Sequence, residues 1–385
     1  MSDIVLSNSV RSNLTALQNT ADLLSRTQNR LATGKKVNSA LDNPNSFFTS
    51  ENLNNRAQDL NNLLDDMGQA VQTLKAADQG LTAITGLVEA AKAKANQALQ
   101  TSSQNDRANY VTEYNGLLDQ IEALARDAGY KGKNLLGGTG NDLSVYFNED
   151  NTSNILISAV DYTDASLTTG LNLSSLSSGI AATGTITLTA GTATTALTAG
   201  DTLVSDGEFA DGDVLTFTDG NNYELGSLTI DATTTVQDLI DKLSTFGGTT
   251  ASLSGTDLSI TSNVDLSISS SSVSFNSGSN LDIDATDSDF ALETDINDVI
   301  AAINNALKTL RTQASTFGTN LTVVENRQNF TREFINTLES GADMLILADV
   351  NEEGANLLAL QTRQQLSTTA LSFASQADQS VLSLF

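Results

Sequence analysis

A narrow apolar stripe at each end of the chain constrains the fold most. At the head, apolar residues recur in steps of four and three from Val10 to Leu31. At the tail, a stripe of the same kind runs from Leu366 to Leu384. This spacing is typical of a coiled-coil seam, which one helix buries against another. Because isolated helices of this length are marginally stable in water, each stripe needs a partner.

We therefore predict that the terminal helices pair with each other and with copies from other chains. In that case they are disordered in the monomer and become ordered in a polymer. The predicted assembly-interface residues are Val10, Leu14, Leu17, Ala21, Leu24, Leu31, Leu366, Ala370, Phe373, Ala377, Val381 and Leu384.

Composition divides the chain into helical ends and a middle rich in Thr, Ser, Gly and Asp. The predicted fold class is multi-domain and mainly α, with a coiled coil and helix bundle built from both termini, a β-hairpin and an inserted small α+β domain. The predicted domains are 1–40 with 350–385 (paired terminal helices), 41–175 with 290–349 (helix bundle with the hairpin), and 176–289 (surface-exposed α+β domain).

Further patterns predict individual elements. Apolar seams over 53–88, 107–128 and 303–345 indicate the helices of a bundle. The alternating segments "DLSVYFN" and "NILISAV" predict a hairpin, and "TTVQDLIDKLSTFGG" predicts a helix with a Thr N-cap and a Gly stop. Gly34 is expected to end the first helix, and Gly354 is a weak point between the tail helices. Because Thr and Ser fill many strand positions, we expect a thin core in the middle.

Charge and missing residue types exclude several functions. The net charge of −27 argues against partners such as nucleic acid or an anionic membrane surface. Without Cys or His, the common nucleophile–base pairs and most transition-metal sites are impossible. We therefore predict that the protein is not an enzyme and has no cofactor. Lys35 and Lys36 fit a charged loop tip, with contact to an acidic neighbouring chain as the alternative.

Two acidic segments, "DGDVLTFTDGNN" and "LDIDATDSD", raise the question of calcium. Neither matches the twelve-residue loop that closes on a Glu, so we interpret both as solvated acidic turns and predict no metal site. No apolar run reaches the length of a membrane span, and the first fifteen residues lack the pattern of a signal peptide. We expect either a cytoplasmic protein or export without a cleaved signal.

Both ends of the sequence resemble bacterial flagellins, over roughly residues 1–160 and 290–385. The head "NLTALQNTADLLSRTQNRLATGKKVNSALDNP" is similar to the family's first helix and the signature loop that follows it. The signature falls on Arg30, Leu31, Gly34, Lys36, Val37, Asn38, Ser39, Ala40, Asp42 and Asn43. The tail resembles the form A-x-Q-A-x-Q-x-x-L-S-L, carried by Ala374, Gln376, Ala377, Gln379, Leu382, Ser383 and Leu384.

The resemblance implies a structural subunit that self-assembles into the flagellar filament for swimming. It implies an extracellular location, export through a type III channel without a cleaved signal, and contact with an export chaperone, cap and junction proteins. The alternatives are a hook–filament junction protein of the same superfamily or, from a different class, an adhesin-type binding module. In the family, a stretch of the form L-Q-R-V-R-E-L-A is recognised by a mammalian innate immune receptor. Here "VEAAKAKA" (88–95) replaces it, so we predict weak recognition.

Overall fold

A computed structural model of the chain describes residues 8–190, 195–278 and 280–382. The chain forms two compact units. The terminal unit comprises Met1–Gly68, Tyr146–Asn154 and Glu325–Phe385, and the central unit comprises Gln69–Val145 and Ile155–Val324.

The described residues form long helices at both ends and strands between them, which confirms the predicted fold class. The helices are α1 (Asn8–Thr33), α2 (Pro44–Gln100), α3 (Gln104–Asp127), α4 (Val236–Ser244), α5 (Glu293–Ile346) and α6 (Val350–Leu382). The strands are β1 (Leu143–Tyr146), β2 (Asn154–Ile157), β3 (Ala182–Thr187), β4 (Val214–Asp219), β5 (Glu224–Thr229), β6 (Thr249–Ser254), β7 (Asp257–Ser262), β8 (Leu266–Ser270) and β9 (Leu281–Ile283).

In the terminal unit, α1 packs against α6. Ala57 and Leu60 of α2 form a small core with Ile335 and Leu338 of α5. These four residues lie on the seams predicted for α2 and α5, because residues three and four apart share one helix face.

In the central unit, α3 follows the sequence prediction closely. The seam predicted over 107–128, whose members are Val111, Tyr114, Leu118, Ile121 and Ala125, is fully buried. The helix starts where the Ser103 side chain accepts a hydrogen bond from the Asp106 N–H, as an N-cap does.

The strands confirm the predicted hairpin, β1–β2, and form two further antiparallel sheets in the order β3-β7-β6 and β5-β4-β8-β9. The prediction of a thin core was wrong. Leu215 and Phe217 of β4 point inward, and the core includes the rings of Phe209, Phe246 and Phe275. Successive strand residues face opposite sides of a sheet, so Thr and Ser occupy the alternate positions without diluting the core.

The predicted amphipathic helix of the middle is α4. Thr235 caps it in a capping box with Asp238. The helix ends at Ser244 with Thr245 as its C-cap, before the predicted Gly stop, and Gly248, with a positive φ of 75°, directly precedes β6. The N-cap acts locally through hydrogen bonds with the backbone, which is why the sequence revealed it.

Candidate assembly surface

The head helix α1 has an inner face with a regular seven-residue repeat. Val10 is buried, and Leu17, Leu24 and Leu31 are half-buried at successive steps of seven. Between them lie Asn13, Thr20 and Thr27, of which the two threonines are buried. The inner face thus combines four of the predicted interface residues with polar ones. The sequence analysis missed the polar members because it followed only apolar residues.

The remaining head residues lie outside this inner face. Leu14 and Ala21 are exposed, and Leu23, which the sequence analysis did not select, is also exposed. Leu14 and Ala21 lie along one edge of the inner face, and Leu23, nine positions after Leu14, lies along the other, so exposed apolar side chains flank the inner face on both sides.

On the tail helix α6, the less exposed side is not the stripe selected from the sequence. Leu366 and Phe373 are each 66% exposed, and Ala370 and Ala377 are exposed as well. The half-buried side consists of Leu357, Leu360, Gln364, Ser367, Leu371 and Ala374. Ser367, Leu371 and Ala374 each follow a residue of the predicted stripe by one position. One position corresponds to a rotation of about 100° around the helix axis, so the half-buried side is turned from the predicted stripe by that angle.

Two of the selected tail residues have no described side chain. Val381 lies in α6, but only its backbone is described, and Leu384 lies outside the described residues. The repeat from Leu357 to Ala374 was the available signal for the inner side of α6. It was overlooked because Gln364 and Ser367 interrupt the apolar pattern.

Backbone hydrogen bonds connect the segment that follows α1 with the end of α5 and the segment that follows it. The Lys36 N–H donates to the Ile346 carbonyl at 2.7 Å, and the Ala348 N–H donates to the Gly34 carbonyl at 2.9 Å. Gly34 has a positive φ of 70° directly after α1, as predicted for a helix-ending glycine. The break between the tail helices lies at 347–349, so the predicted weak point at Gly354 was wrong: this glycine lies inside α6.

Basic side chains reinforce the same junction. Lys36 Nζ donates to the Met344 carbonyl at 3.0 Å, near the C-terminal end of α5, where the helix dipole favours a cation. Arg30 Nη1 lies 3.0 Å from Glu353 Oε1, and Glu353 is buried. The ion pair connects α1 with the first turn of α6. Lys36 is therefore engaged within its own chain.

In the signature loop after α1, the side chains of Asp42 and Asn43 accept hydrogen bonds from backbone N–H groups. One Asp42 carboxylate oxygen accepts from the Asn38 N–H at 3.0 Å and the Ser39 N–H at 3.1 Å. Asn43 Oδ1 accepts from the Ser46 N–H at 3.2 Å, just before Pro44 opens α2. At the loop's tip, Leu41 is 95% exposed.

The Asp42 contacts predict a pH-dependent loop. Hydrogen bonds from the Asn38 and Ser39 backbone hold the pKa of Asp42 below its ordinary value of 3.8. The lowered pKa means that the loop contacts are complete above pH 3.8 and are lost as the pH falls through the lower folded-state value. We expect the Ser39 amide resonance to titrate with a midpoint below 3.8 in an NMR experiment. Asp42→Asn removes that titration; a midpoint above 3.8 in the unsubstituted chain contradicts the assignment.

The described residues offer little chemistry beyond packing and hydrogen bonding. Within 8–190, 195–278 and 280–382, no group of three or more His, Cys, Asp or Glu side chains is arranged to hold a metal ion. Among the same residues, no helix is long and apolar enough to cross a membrane. The surface of the terminal unit does offer two helices, α1 and α6, with exposed apolar side chains.

Comparison with known proteins identifies both ends. Residues 4–141 match the bacterial flagellin N-terminal helical region, and residues 300–385 match the bacterial flagellin C-terminal helical region. Together these matches cover more than half of the chain.

Individual relatives agree with the two matches. Flagellin A of Rhizobium meliloti (strain 1021) is 26% identical over the full length of both chains. Flagellin FljM of Caulobacter vibrioides is 38% identical over 87 residues, which are 23% of this chain and 32% of that protein. The crystal structure of the flagellar junction protein FlgL from Legionella pneumophila has a TM-score of 0.36 and 13% identity, covering 78% of this chain and all of that one. On the sequence matches at both ends and the full-length relative, the chain belongs to the bacterial flagellin family.

Proposed function

We propose that this protein is the subunit of a flagellar filament, which it builds by self-assembly and which serves swimming motility. The flagellin family is a family of structural proteins that form filaments. The observation that carries the proposal for this chain is the stripe of exposed apolar side chains on α6, on a helix whose other side is half-buried.

Burial of this stripe supplies the energy for assembly. Leu358, Leu366 and Phe373 are each 66% exposed in the single chain. Full burial of such a side chain stabilises by about 1.5–3 kcal/mol. In a polymer the same surface occurs on every subunit, so each added chain gains this energy again. A second copy is the proposed partner because helical assemblies repeat one contact between identical chains.

Electron microscopy of the purified protein tests the proposal. We expect long, uniform tubes from this protein alone under conditions that favour polymerisation. A chain that stays monomeric under every such condition contradicts the proposal and favours the junction-protein alternative.

We also propose the domain roles stated from the sequence: paired terminal helices (1–40 with 350–385), a helix bundle with a hairpin (41–175 with 290–349), and an outward α+β domain (176–289). The self-contained core between Ile186 and Ile283 supports the last of these. Its flanks meet where the Ile180 and Thr286 backbones exchange hydrogen bonds of 3.1 and 2.9 Å.

Because Ile180 and Thr286 lie side by side, the residues between them can be deleted and the two ends joined by a short turn. Residues 181–285 are replaced by Asn-Gly, a pair that suits a two-residue hairpin turn. We expect the shortened chain to form filaments in electron micrographs, because the proposed interface lies on α1 and α6. Circular dichroism checks that its helices are retained. Loss of filaments in a chain with intact helices would show that the middle domain is needed for assembly.

Family membership also supports the proposed partners and location. We propose export by a type III route to the cell surface, with an export chaperone, a cap and junction proteins as partners.

Weak recognition by the innate immune receptor remains a prediction. In the stretch 88–95, Lys94 forms an ion pair with Glu113 of α3 and lies over the Tyr110 ring. These contacts present a surface different from the family's recognised motif. We expect purified monomer to activate receptor reporter cells weakly; strong activation contradicts the prediction.

A further inference from the structure

The signature loop after α1 is ordered by its own hydrogen bonds, yet its tip is apolar and exposed. Besides the contacts to Asp42 described above, the Ser39 hydroxyl accepts a hydrogen bond from the Leu41 N–H at 3.3 Å. The Asp42 N–H donates to the Ser39 carbonyl at 3.1 Å. These bonds fix the backbone around Leu41, whose side chain is 95% exposed. An exposed apolar side chain on a preorganised loop is suited to binding, because little conformational entropy is lost when a partner covers it.

Further apolar side chains are exposed beside this loop. The Lys35 and Leu347 backbones form an antiparallel bridge, which brings the loop to the end of α5. Leu347 is 46% exposed there, and Met344, one turn earlier in α5, is 75% exposed. We call Lys35, Leu41, Met344 and Leu347 the loop surface. Exposed apolar side chains grouped in this way are typical of an interaction site.

Lys35 gives the loop surface a positive charge. Lys36 binds the end of α5, whereas the side chain of Lys35 is exposed and has no hydrogen bond or ion pair among the described residues. The chain as a whole carries a net charge of −27. A surface that complements Lys35 and Leu41 has a carboxylate beside an apolar group, and an acidic chain of this kind is rich in carboxylates.

The helix α5 has such a surface within the terminal unit. Phe330 is 59% exposed and stacks on Phe334, with the ring centroids 5.9 Å apart. The Arg56 guanidinium lies over the Phe334 ring at 5.2 Å from its centroid. Glu333 is exposed three positions after Phe330, and so adjacent to it on the helix surface. Its carboxylate has no partner among the residues that the structure describes. We call Phe330 and Glu333 the α5 surface.

The two surfaces cannot meet within one chain. The Lys35 backbone lies at Leu347, and Glu333 precedes Leu347 by about 14 residues, which correspond to a helix length of about 21 Å. A lysine side chain does not reach that far, so a contact between the surfaces joins different copies. Because the two surfaces differ, each added copy leaves one of each kind free, and the contact can continue as an open polymer.

We propose that the loop surface of one copy binds the α5 surface of the next, with Leu41 packed on the Phe330 ring and Lys35 paired with Glu333. The inference rests on the proposed function and deepens it, because it names a second contact besides the exposed stripe of α6. The partner is a second copy because the chain itself has both complementary surfaces. The signature loop thereby gains a role, which is to present Leu41 and Lys35 to the neighbouring chain.

Charge exchange in the full chain tests the pairing. Lys35→Glu and Glu333→Lys each place like charges at the contact, and we expect each to raise the critical concentration for filament formation about tenfold at low salt. The double variant restores opposite charges and is expected to assemble as the unsubstituted chain does. The two single variants change the net charge in opposite directions, so a general effect of net charge would weaken one and strengthen the other.

Leu41→Ser tests the apolar part of the contact. We expect its critical concentration to rise about tenfold, whereas Val273→Ser, at a side chain that is 88% exposed in the inserted region, is the matched control and leaves it unchanged. Sedimentation of polymer measures each value, and circular dichroism checks that every variant keeps its helices.

Three results would overturn the contact while filaments still form. They are normal assembly of both single charge variants, a double variant that assembles no better than the weaker of the two, and Leu41→Ser assembling as well as its control. Absence of filaments from the unsubstituted chain would instead overturn the proposed function, and this contact with it.

Discussion

Replacing Leu366 and Phe373 together by Ser is expected to abolish filament formation while the single chain stays folded. Both side chains are 66% exposed, and surface substitutions of this kind change the free energy of unfolding by about 0.5 kcal/mol or less. Burial of the exposed two-thirds in a polymer contact is worth about 1–2 kcal/mol for each side chain. The double variant therefore loses about 2–4 kcal/mol per subunit, which raises the critical concentration roughly 30- to 700-fold.

Sedimentation of polymer from monomer, over a range of protein concentrations, measures this change. Val273→Ser is the matched control, because Val273 is 88% exposed but lies in the inserted region; we expect its critical concentration to be unchanged. Removal of residues 366–385 should have the same effect as the double variant and leave most of the helical circular dichroism. Normal filaments from either altered chain would refute the role of the α6 stripe.

Arg107→Met is expected to destabilise the central unit by about 2–5 kcal/mol, because each buried backbone carbonyl that loses its N–H donor costs about 1–3 kcal/mol. The Arg107 side chain is 5% exposed. Its Nε donates to the carbonyls of Ala98 at 3.2 Å and Thr101 at 2.9 Å, and its Nη1 donates to the Ala291 carbonyl at 2.6 Å. These bonds connect the end of α2, the start of α3 and the segment before α5. Met fills much of the space but leaves the carbonyls without these donors.

Equilibrium unfolding in urea, followed by circular dichroism, measures the loss. Arg126→Met is the matched control: its side chain is 57% exposed and pairs with Glu122 one turn away, so we expect a cost of about 0.5 kcal/mol or less. Equal effects of the two substitutions would show that Arg107 does not hold these three segments together.

How far the sequence could predict the structure depended on the range of the interactions. The buried face of α3, the Thr N-cap of α4 and the β1–β2 hairpin were predicted because each rests on residues close together in the chain. The same reasoning placed Gly34 directly after α1, where only a residue tolerant of positive φ fits well. These elements keep their local preferences in the folded chain.

The inner sides of α1 and α6 could not be predicted in this way. Both helices carry more than one stripe at helical spacing, and the choice between them depends on the partner. On α1 Thr20 and Thr27 are buried although they are not apolar, so an apolar pattern does not include them. The Thr20 hydroxyl donates a hydrogen bond to the Ala16 carbonyl at 2.7 Å. On α6 the fully apolar stripe through Leu366 and Phe373 is the exposed one.

The sequence by itself determined the family, the helical ends, the separate character of the middle and the absence of Cys and His chemistry. Only the tertiary structure decided which stripe of each terminal helix faces inward, that Lys36 binds the end of α5, and that Gln104 meets Asp265 and Asp287. The physical reason is one of distance along the chain. Helical period and caps involve residues within a few positions of one another, whereas these contacts join residues more than a hundred positions apart, whose packing no local pattern records.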